Sequence, residues 1–522
     1  MNRLALLFLF AAALAQGAPA ITAAANAASN FPGELPGGGL AQGGMFVVYG
    51  SGLGPQALVQ TASFPLPVTL SGTSVRVTVG QTQVDCFLIY TLAGQVAAIL
   101  PSRTPVGEGT LRVTYNGEVS GPFSVRVVRS ALGIFTRNQT GAGPAIAQNA
   151  ISGTEQPLNS LTEPVRPGQT VVLWGTGLGS VQGDEAAGPL PGNQSLDTEV
   201  YVGGRRVDPA YQGRSGCCAG LDQIAFSVPD SVRGCYVPVA LRVNGVVSNF
   251  TTITVEPEGA ACTDPLGPGP GDLERLRDTG AMAYGLVDLT RILFGTVYAD
   301  SGDALFLNTT PARLASAVGT RSIPMGSCVF QWSQGAGLPD FRVAAGLDAG
   351  ASVNATVASS SRQMLPRFGL PGLYSGDFNR FLEPGPVRVD NGPGSRAVGP
   401  FQVGVQMPEA VQWLNAQQIS DVSRAQDLVV RWQGGDAAQE AVVVYGVSPS
   451  GTLSAGFYCL ANPASGQFSV PAWVLSAMPA GTGEGVLGVG ATRRTAARFR
   501  ADGLEFGAVA ATSIAAKPVT YR

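Results

Sequence analysis

The chain has 522 residues, of which 45% are hydrophobic and 13% are charged, and its formal net charge is −3. A chain of this length exceeds a single hydrophobic core and predicts roughly three to five domains. The composition is too apolar for disorder and too poor in charge for long solvated helices. Because Lys+Arg and Asp+Glu nearly balance, at 32 and 35, we predict no basic surface for nucleic acid or anionic lipid.

The chain contains no histidine. This excludes Ser-His-Asp and Cys-His catalysis, the commonest general base near neutral pH, and every histidine-ligated metal site. The 70 glycines and 37 prolines are typical of many short strands that are joined by tight turns. We therefore predict an all-β protein that is not an enzyme, with no catalytic residue, no cofactor and no metal ligand.

The first 15 residues have the three parts of a secretory signal peptide. Asn2 and Arg3 form a short positive start, Leu4–Leu14 is apolar, and residues 13–15 place small side chains before Gln16. The apolar run is shorter than the roughly 20 residues that span a membrane. We predict a signal peptide over 1–15 and a mature protein that is secreted, either periplasmic or extracellular, and not inserted in a membrane.

Two segments of the first half match each other at an offset of about 125 residues. In each, an apolar strand ends in an aromatic residue, Tyr49 or Trp174, and continues as Gly-Ser/Thr-Gly-Leu-Gly. This offset fits one sandwich domain of about 100 residues and its connection. The later matches are Pro65–Pro67 with Pro189–Pro191, Val75–Gly80 with Val200–Gly204, Gln95–Pro101 with Gln223–Pro229, and Leu111–Gly117 with Leu241–Gly245.

The alternation of apolar and polar residues in Val75–Val79 indicates a half-buried antiparallel strand. The glycine-rich loop after the first strand leads to Pro-Leu-Pro and another strand rather than to a helix, which excludes a phosphate-binding loop. We predict that these glycines are structural and that Leu53 and Leu178 return to the core.

The aromatic residue, the Gly-Ser/Thr-Gly-Leu-Gly loop and the closing alternating strand resemble the immunoglobulin-like IPT/TIG module. With Gly143–Asn149 and Pro164–Gly168, the pair is similar to a family of uncharacterised secreted bacterial proteins that carry such modules in tandem. The resemblance covers about Ala24 to Val255. It implies tandem immunoglobulin-like β-sandwiches and implies no activity.

The Pro/Gly-rich segment 263–271 predicts a linker between the two halves of the chain. Beyond it we predict a β-rich domain with strands on both sides of a turn at Asp300–Asp303, and then a fibronectin-like β-sandwich. The second half also resembles the C-terminal part of some members of the same family, as far as the closing Pro518–Tyr521. The predicted domains, independent units on a flexible string, are 24–128, 129–262, 272–408 and 409–522.

Export predicts disulfide bonds among the seven cysteines. Because Cys217 and Cys218 are adjacent, we expect each to pair with a different one of the two cysteines that follow. Cys328 is expected to pair with Cys459, which leaves Cys86 unpaired in an apolar strand. The disulfide candidates are therefore Cys217, Cys218, Cys235, Cys262, Cys328 and Cys459.

Zinc binding and nucleophilic catalysis are the alternatives to disulfide bonds for these cysteines. A zinc ion held by four thiolates usually requires Cys-x-x-Cys spacing, which this sequence does not contain. A nucleophilic Cys86 would have no histidine to activate its thiol.

Carboxylates and tryptophans supply the remaining candidates. Asp300–Asp303 and Asp184-Glu185 are acidic turns that could hold calcium, and Asp377 with Glu383, near Tyr374, could form a glycosidase pair. We expect these carboxylates to be solvated at turns. An exposed row of tryptophans would stack on sugars, and the five candidates are Trp174, Trp332, Trp413, Trp432 and Trp473; the first aligns with Tyr49 in a core strand and is expected to be packed.

The sequence therefore predicts a non-catalytic secreted or cell-envelope protein for adhesion, scaffolding or envelope architecture. The expected partner is an envelope or extracellular protein or polysaccharide that the sequence does not identify. The first alternative is a carbohydrate- or polymer-binding extracellular protein, which exposed aromatics on one sheet face would favour. The second is a carboxylate-based hydrolase in the C-terminal half, which a cleft with two or more acids would favour.

The signal peptide gives the first prediction. Protein recovered from the native envelope or medium is expected to begin close to Gln16, because residues 1–15 contain all three signal regions. Intact-mass measurement checks this expectation, and a recovered chain that retains Met1 would contradict it.

Overall fold

The computed structural model describes residues 17–257, 261–264, 267, 269, 271–272, 280–310, 322–334, 345–481 and 483–522. The predicted signal peptide 1–15 lies outside the described residues, and so does part of the predicted linker 263–271. Regular structure in the described part is nearly all β, which confirms the predicted fold class. The helical elements with described bounds are short: Ala416–Gln418, Pro463–Ser465 and Ala472–Leu475.

The first β-sandwich has twelve strands, and alternate residues of its two sheets meet in one core. The strands are β1 Ala20–Asn26, β2 Leu40–Ala41, β3 Met45–Ser51, β4 Val59–Gln60, β5 Thr69–Leu70, β6 Thr73–Val79, β7 Thr82–Asp85, β8 Phe87–Leu92, β9 Gln95–Ile99, β10 Gly107–Tyr115, β11 Glu118–Val119 and β12 Phe123–Val128. One sheet has the order β1-β3-β9-β8-β4 and the other β2-β12-β10-β6-β5. Leu53 lies in the core, as predicted.

The second β-sandwich repeats this plan. Its strands are β13 Gly133–Ile134, β14 Gly143–Pro144, β15 Ala147–Ala150, β16 Thr170–Thr176, β17 Gly192–Asn193, β18 Thr198–Val202, β19 Arg205–Val207, β20 Tyr211–Arg214, β21 Asp222–Ser227, β22 Gly234–Val243, β23 Val246–Val247 and β24 Thr251–Val255. The sheet orders are β13-β16-β21-β20-β17 and β14-β24-β22-β18-β19. Leu178 lies in this core.

The two copies turn at equivalent places. The hairpins β10–β11 and β22–β23 each turn through Asn-Gly, and Asn116 and Asn244 both have φ of 49°. Gly117 and Gly245 follow with φ of 88° and 83°. Positive φ at both central positions matches the right-handed twist of the flanking strands, which is why Asn-Gly occurs at both turns.

The second half contains strands that pair across long stretches of sequence. They are β25 Met282–Phe294, β26 Val297–Thr309, β27 Cys328–Gln334, β28 Ala345–Gly346, β29 Val353–Val357, β30 Ser360–Pro366, β31 Leu373–Asn379, β32 Gly385–Asp390, β33 Gln402–Met407, β34 Gln412–Trp413, β35 Asp421–Val422, β36 Leu428–Gln433, β37 Glu440–Ser450, β38 Leu453–Ala461, β39 Gln467–Val470, β40 Gly485–Arg493, β41 Ala497–Phe499 and β42 Phe506–Tyr521. The main sheet has the order β27-β38-β37-β40-β42-β25-β26-β31-β30-β29-β32-β33.

The strand order does not follow the predicted boundary between 272–408 and 409–522, because strands from each segment pair with strands of the other. From the first of these segments, β27 pairs with β38 of the second. From the second segment, β41 and β42 join the sheet of the first, where β42 is parallel to β25. The two C-terminal sandwiches, which we call the third (core around β25, β26, β29–β33) and the fourth (core around β36–β40), therefore exchange strands.

Strand β42 belongs to both C-terminal sandwiches. Its residues 506–516 pair with β25, and its residues 512–519 pair with β40. Val509 and Ala511 lie in the core of the third sandwich, whereas Val519 and Tyr521 lie in that of the fourth. One strand of 16 residues thus couples the two cores.

The predicted turn at Asp300–Asp303 is wrong, because these residues lie inside β26. The hairpin turns instead at residues 295–296, and the register sets Asp300 directly opposite Arg291. Both side chains are buried, and Asp300 Oδ2 accepts hydrogen bonds from the amides of Phe381 and Leu382 at 2.7 and 2.6 Å. The buried aspartate therefore has donors that a sequence pattern of polar residues does not reveal.

The first two sandwiches meet at a hydrogen-bonded joint. The guanidinium of Arg214 is buried, forms a salt bridge with Asp222, and donates to the carbonyl oxygens of Gly43 and Gly179 at 2.6 and 2.7 Å. Asn26 of the first sandwich donates to two carbonyls of the second. A buried cation with all these acceptors holds one relative orientation, since losing any of them leaves a charge underbonded.

The fourth sandwich packs on both members of the tandem. The indole of Trp473 stacks between the rings of Tyr201, at 4.0 Å between centroids, and Phe250, at 5.4 Å. Phe31 of the first sandwich contacts Phe330 and lies in the same core cluster. The expected independent domains on a flexible string are therefore not what the structure has: the fourth sandwich contacts the first and second and shares β42 with the third.

The Trp473 contact gives the second prediction. Replacing Trp473 with Ala is expected to lower the free energy of unfolding of the mature chain by about 3 kcal/mol, because an indole stacked on two rings is lost. Trp473→Phe keeps one stacked ring and is expected to lose about 1 kcal/mol. Denaturant unfolding measures both, and an unchanged stability of Trp473→Ala would contradict the joint.

Candidate functional site

The carboxylates proposed as a glycosidase pair are engaged elsewhere or solvated. Glu383 forms salt bridges with Arg291, at 3.0 Å, and with Arg380, at 3.7 Å. The hydrogen bond from Arg291 lowers the pKa of Glu383, with added attraction from Arg380. Asp377 is exposed and accepts from the amide of Asn379. Glu383 is thus held ionised by arginines, which does not suit a general acid.

The two acidic segments proposed for calcium have different fates. Asp303 is exposed in the middle of β26, whereas Asp300 is buried in its pairing with Arg291. Glu185 is buried and accepts from both the amide and the hydroxyl of Ser102, each at 2.7 Å. Glu185 therefore stabilises the joint between the first two sandwiches, and its oxygens are occupied by protein donors.

The cysteines form three bonded pairs among the described residues. Cys328 is joined to Cys459, as expected, and their Cα atoms are 4.1 Å apart. The pairing expected for the adjacent cysteines is wrong: Cys217 is joined to Cys218 on an exposed loop. Because Cys217 and Cys218 are bonded to each other within one loop, neither of them pairs with Cys235 or Cys262.

The remaining pair joins strand β22 of the second sandwich to the segment that follows its last strand, β24. Cys235 in β22 is bonded to Cys262, with Cα atoms 5.4 Å apart. A carboxylate oxygen of Glu256 lies within 4.8 Å of both sulfurs. In the described part of the chain the predicted alternative of four thiolates around zinc is not assembled, because Cys217 and Cys218 are not in this cluster.

Cys86 is unpaired and fully buried, as expected from its apolar strand. Burial raises the pKa of the Cys86 thiol well above its usual value, and the neighbouring Asp85 carboxylate raises it further. A buried thiol that resists ionisation is a poor nucleophile.

The tryptophans do not form a row on one sheet face. Trp432 is buried and donates to the carbonyl of Pro463, while Trp413 packs partly buried against the same core. Trp332 meets Phe31 edge to face, and Trp473 lies in the joint described above. Trp332, Trp413 and Trp432 therefore pack in or against the core of the fourth sandwich. Trp473 stacks on aromatic rings of the second sandwich.

The outer face of the first sandwich carries two half-buried aromatic side chains on either side of β9. Phe46 and Val48 are in the core, so Tyr49 lies on the outer face, opposite Gln95 of β9. Tyr90 of β8 lies opposite the next outward residue of β9, Ala97. Tyr49 and Tyr90 therefore lie two strands apart, offset by two residues along β9.

Amides accompany both tyrosines. The Gln95 amide donates to the hydroxyl of Tyr90, and Gln60 of the edge strand β4 is opposite Tyr90. Tyr49 donates to Asn30 Oδ1 at 3.1 Å. Partial burial raises the pKa of both tyrosines, so they remain neutral donors at physiological pH. We call Tyr49, Tyr90, Gln60 and Gln95 the first aromatic face.

The second sandwich has the same arrangement at the same register. Trp174 lies opposite Gln223, and Tyr211 lies opposite Ala225, on the two strands that flank β21. The indole N–H of Trp174 donates to Gln148 Oε1 at 2.8 Å. All four aromatic side chains of the two copies are half-buried. We call Trp174, Tyr211, Gln148 and Gln223 the second aromatic face.

An open cleft of about 740 Å³ lies beyond the second aromatic face. Gln148 connects the two, because its amide donates to the carbonyl oxygen of Gln156 at 3.1 Å. Ile151 and Leu158, which line the cleft, are large exposed hydrophobic side chains. The lining residues are Arg137, Ile151, Thr154, Glu155, Gln156, Pro157, Leu158, Ser160 and Glu163.

The architecture defines tandem immunoglobulin-like β-sandwiches followed by further β-sandwiches. No protein-family model and no curated protein matches the chain. Within the described residues, no helix has the length and apolar character that crossing a membrane requires.

Solved structures with related folds are distant. SGBP-B of the Bacteroides ovatus mixed-linkage glucan utilization locus, solved with a mixed-linkage heptasaccharide, is 10% identical over 76% of each chain, with a TM-score of 0.14. A Ca²⁺-stabilised adhesin with which an Antarctic bacterium binds ice is 10% identical over 97% of this chain and 99% of that chain, with a TM-score of 0.12. A titin fragment is 8% identical over 74% and 93%, with a TM-score of 0.14. TM-scores this low give the functions of these proteins no bearing on this chain.

The cysteine pairs give the third prediction, a ranking of stabilities. Cys235–Cys262 and Cys328–Cys459 have sequence separations of 27 and 131 residues. Loop-closure entropy then gives about 3.5 and about 5 kcal/mol for the loss of each by paired Cys→Ala substitution. The Cys217→Ala/Cys218→Ala variant is the matched control, because its bond closes no loop and less than about 1 kcal/mol is expected.

Denaturant unfolding of the three variants measures the ranking. A loss of several kcal/mol in the Cys217→Ala/Cys218→Ala control would contradict the bond between adjacent residues. It would restore the expectation that each of the two joins a distant partner.

Proposed function

We propose that this is a non-catalytic, exported binding and scaffolding protein that presents fixed surfaces to an envelope or extracellular partner. The observation that carries the proposal is the set of joints between the sandwiches. Arg214 is buried between the first two, and Trp473 is stacked on the second by the fourth. Joints of this kind hold binding surfaces at fixed separations, which suits adhesion and scaffolding.

The ionisable groups support a non-catalytic role. Arg214 with Asp222, and Arg291 with Asp300, are buried pairs that join elements of the fold. Glu383 is held ionised in salt bridges with arginines, and the chain has no histidine to act as a base. A hydrolase in the C-terminal half would need a free acid with a raised pKa near a second carboxylate, and the carboxylates that the sequence singled out do not have that arrangement.

The proposed compartment is the periplasm or the exterior of the cell. Bonded cysteine pairs persist in an oxidising compartment, and residues 1–15 have the pattern of a signal peptide. We further assign the first two sandwiches to the IPT/TIG type. This assignment rests on Gly50–Gly54 and Gly175–Gly179, where each glycine-rich loop returns a leucine to the core.

The second candidate, a carbohydrate- or polymer-binding protein, is favoured by a specific observation. Half-buried aromatic side chains with neighbouring amides recur on the outer faces of both tandem sandwiches. This arrangement is a special form of the same binding role.

The proposal predicts saturable binding without turnover. The mature chain, labelled at its N-terminus, is expected to cosediment with envelope fractions of the producing cell until the sites are filled, and to release no product from them. A heat-unfolded sample is the control for adsorption. Failure to bind any envelope or extracellular fraction, or release of soluble fragments that depends on protein concentration, would contradict the proposed function.

A further inference from the structure

We infer that the first and second aromatic faces bind one neutral polysaccharide chain at two places. The inference rests on the proposed function, since it names the ligand class for a non-catalytic binding protein. Its basis is the recurrence of the same side chains at the same register on both copies.

The chemistry of the faces suits pyranose rings. An aromatic ring packs against the C–H face of a sugar, while an amide both donates to and accepts from hydroxyl groups. On the first face, Gln60 and Gln95 lie next to the tyrosines, and on the second, Gln148 and Gln223 lie next to Trp174. The residue between the aromatics is small in both copies: Ala97, which is buried, and Ala225, which is half-buried.

The absence of charge on the faces selects a neutral polymer. The outward positions of the strands that form them are uncharged in both copies. An anionic polysaccharide would lack a cationic partner there, and its desolvated charge would oppose binding. The outward residues include Met45, Val47, Tyr49, Gln60, Phe87, Tyr90, Leu92, Gln95, Ala97 and Ile99 in the first sandwich, and Gln148, Thr170, Val172, Trp174, Tyr211, Gly213, Gln223, Ala225 and Ser227 in the second. Of these side chains, Val47, Phe87, Ala97, Ile99 and Val172 are buried, whereas the four aromatic side chains of the faces are half-buried.

The joint between the tandem sandwiches fixes the separation of the two faces. Gly220 of the second sandwich has φ of 73°, and a Cβ there would lie 2.8 Å from Cγ of Met45 at one end of the first face. Thr176 accepts from the Met45 amide at 2.8 Å and donates to Gly220 at 2.7 Å. A polymer with a repeating unit can occupy two faces held at one distance, and the second contact then forms at high effective concentration.

Native affinity electrophoresis of the full mature chain tests the inference. The neutral probes are dextran, laminarin, galactomannan and arabinoxylan, and the comparison probes are polygalacturonate and decaproline. We expect at least one neutral polymer to retard the chain, with neither comparison probe doing so. Decaproline tests the other class of ligand that aromatic troughs bind, the proline-rich peptide.

Substitutions on one face at a time test the two-site arrangement. Tyr49→Ala/Tyr90→Ala and Trp174→Ala/Tyr211→Ala are each expected to weaken the affinity for the retarding polymer at least tenfold, because one of two linked contacts is lost. Tyr49→Phe/Tyr90→Phe keeps the rings and is expected to retain most of the affinity. Gln95→Ala keeps the tyrosines and is expected to weaken it severalfold.

A matched control separates binding from folding. Tyr115→Ala removes a half-buried tyrosine of β10, in the opposite sheet of the first sandwich, and is expected to leave retardation unchanged. Retardation that survives substitution of both faces, or retardation by decaproline alone, would overturn the inference. So would a chain that no neutral polymer retards. If that chain still cosediments with envelope fractions, the proposed function stands and only its ligand class is wrong.

Discussion

The rest of the structure depends on the contacts by which the fourth sandwich covers aromatic side chains of the first and second. Tyr201 on the second sandwich is covered by Trp473, and Phe31 of the first contacts the fourth. The shared strand β42 has a similar effect, because a strand whose two ends lie in different cores keeps those cores together.

Under the proposed function, a body held together in this way acts by presenting its surfaces at fixed positions. Two arginines are buried in salt bridges that hold elements of the fold together. Arg214 pairs with Asp222 at the joint of the tandem, and Arg291 pairs with Asp300 in the third sandwich. The outward sheet positions around Tyr49 and Tyr90, and around Trp174 and Tyr211, carry aromatic and amide side chains. Holding such surfaces at a fixed separation lowers the entropy that a polymer loses when it binds both.

Local patterns predicted the local structure. The alternation in Val75–Val79 became β6, the run Leu428–Trp432 became part of β36, and the glycine-rich loops returned Leu53 and Leu178 to the cores. Among features that depend on contacts distant in sequence, the Cys328–Cys459 bond was predicted, whereas the strand pairing around it and the registers were missed. The pairing of β27 with β38 joins residues over 100 positions apart, and the register that sets Asp300 opposite Arg291 hides a buried pair inside an acidic, turn-like segment.

The aromatic faces were half visible in the sequence. Tyr49 matched Trp174, and Gln95 matched Gln223, with 223 − 95 = 128 residues between the glutamines. Tyr90 and Tyr211 are 211 − 90 = 121 residues apart, because the intervening loops differ in length, so no constant offset reveals them. Their equivalence appears only from the register, in which each lies opposite an alanine of the central strand.

Small-angle X-ray scattering of the mature chain tests most directly whether the four sandwiches form one body. The account predicts that a single rigid arrangement reproduces the full scattering curve, with the maximum dimension of the structure and no dependence on protein concentration. A curve that requires an ensemble of extended arrangements, with a maximum dimension well beyond that of the structure, would contradict it.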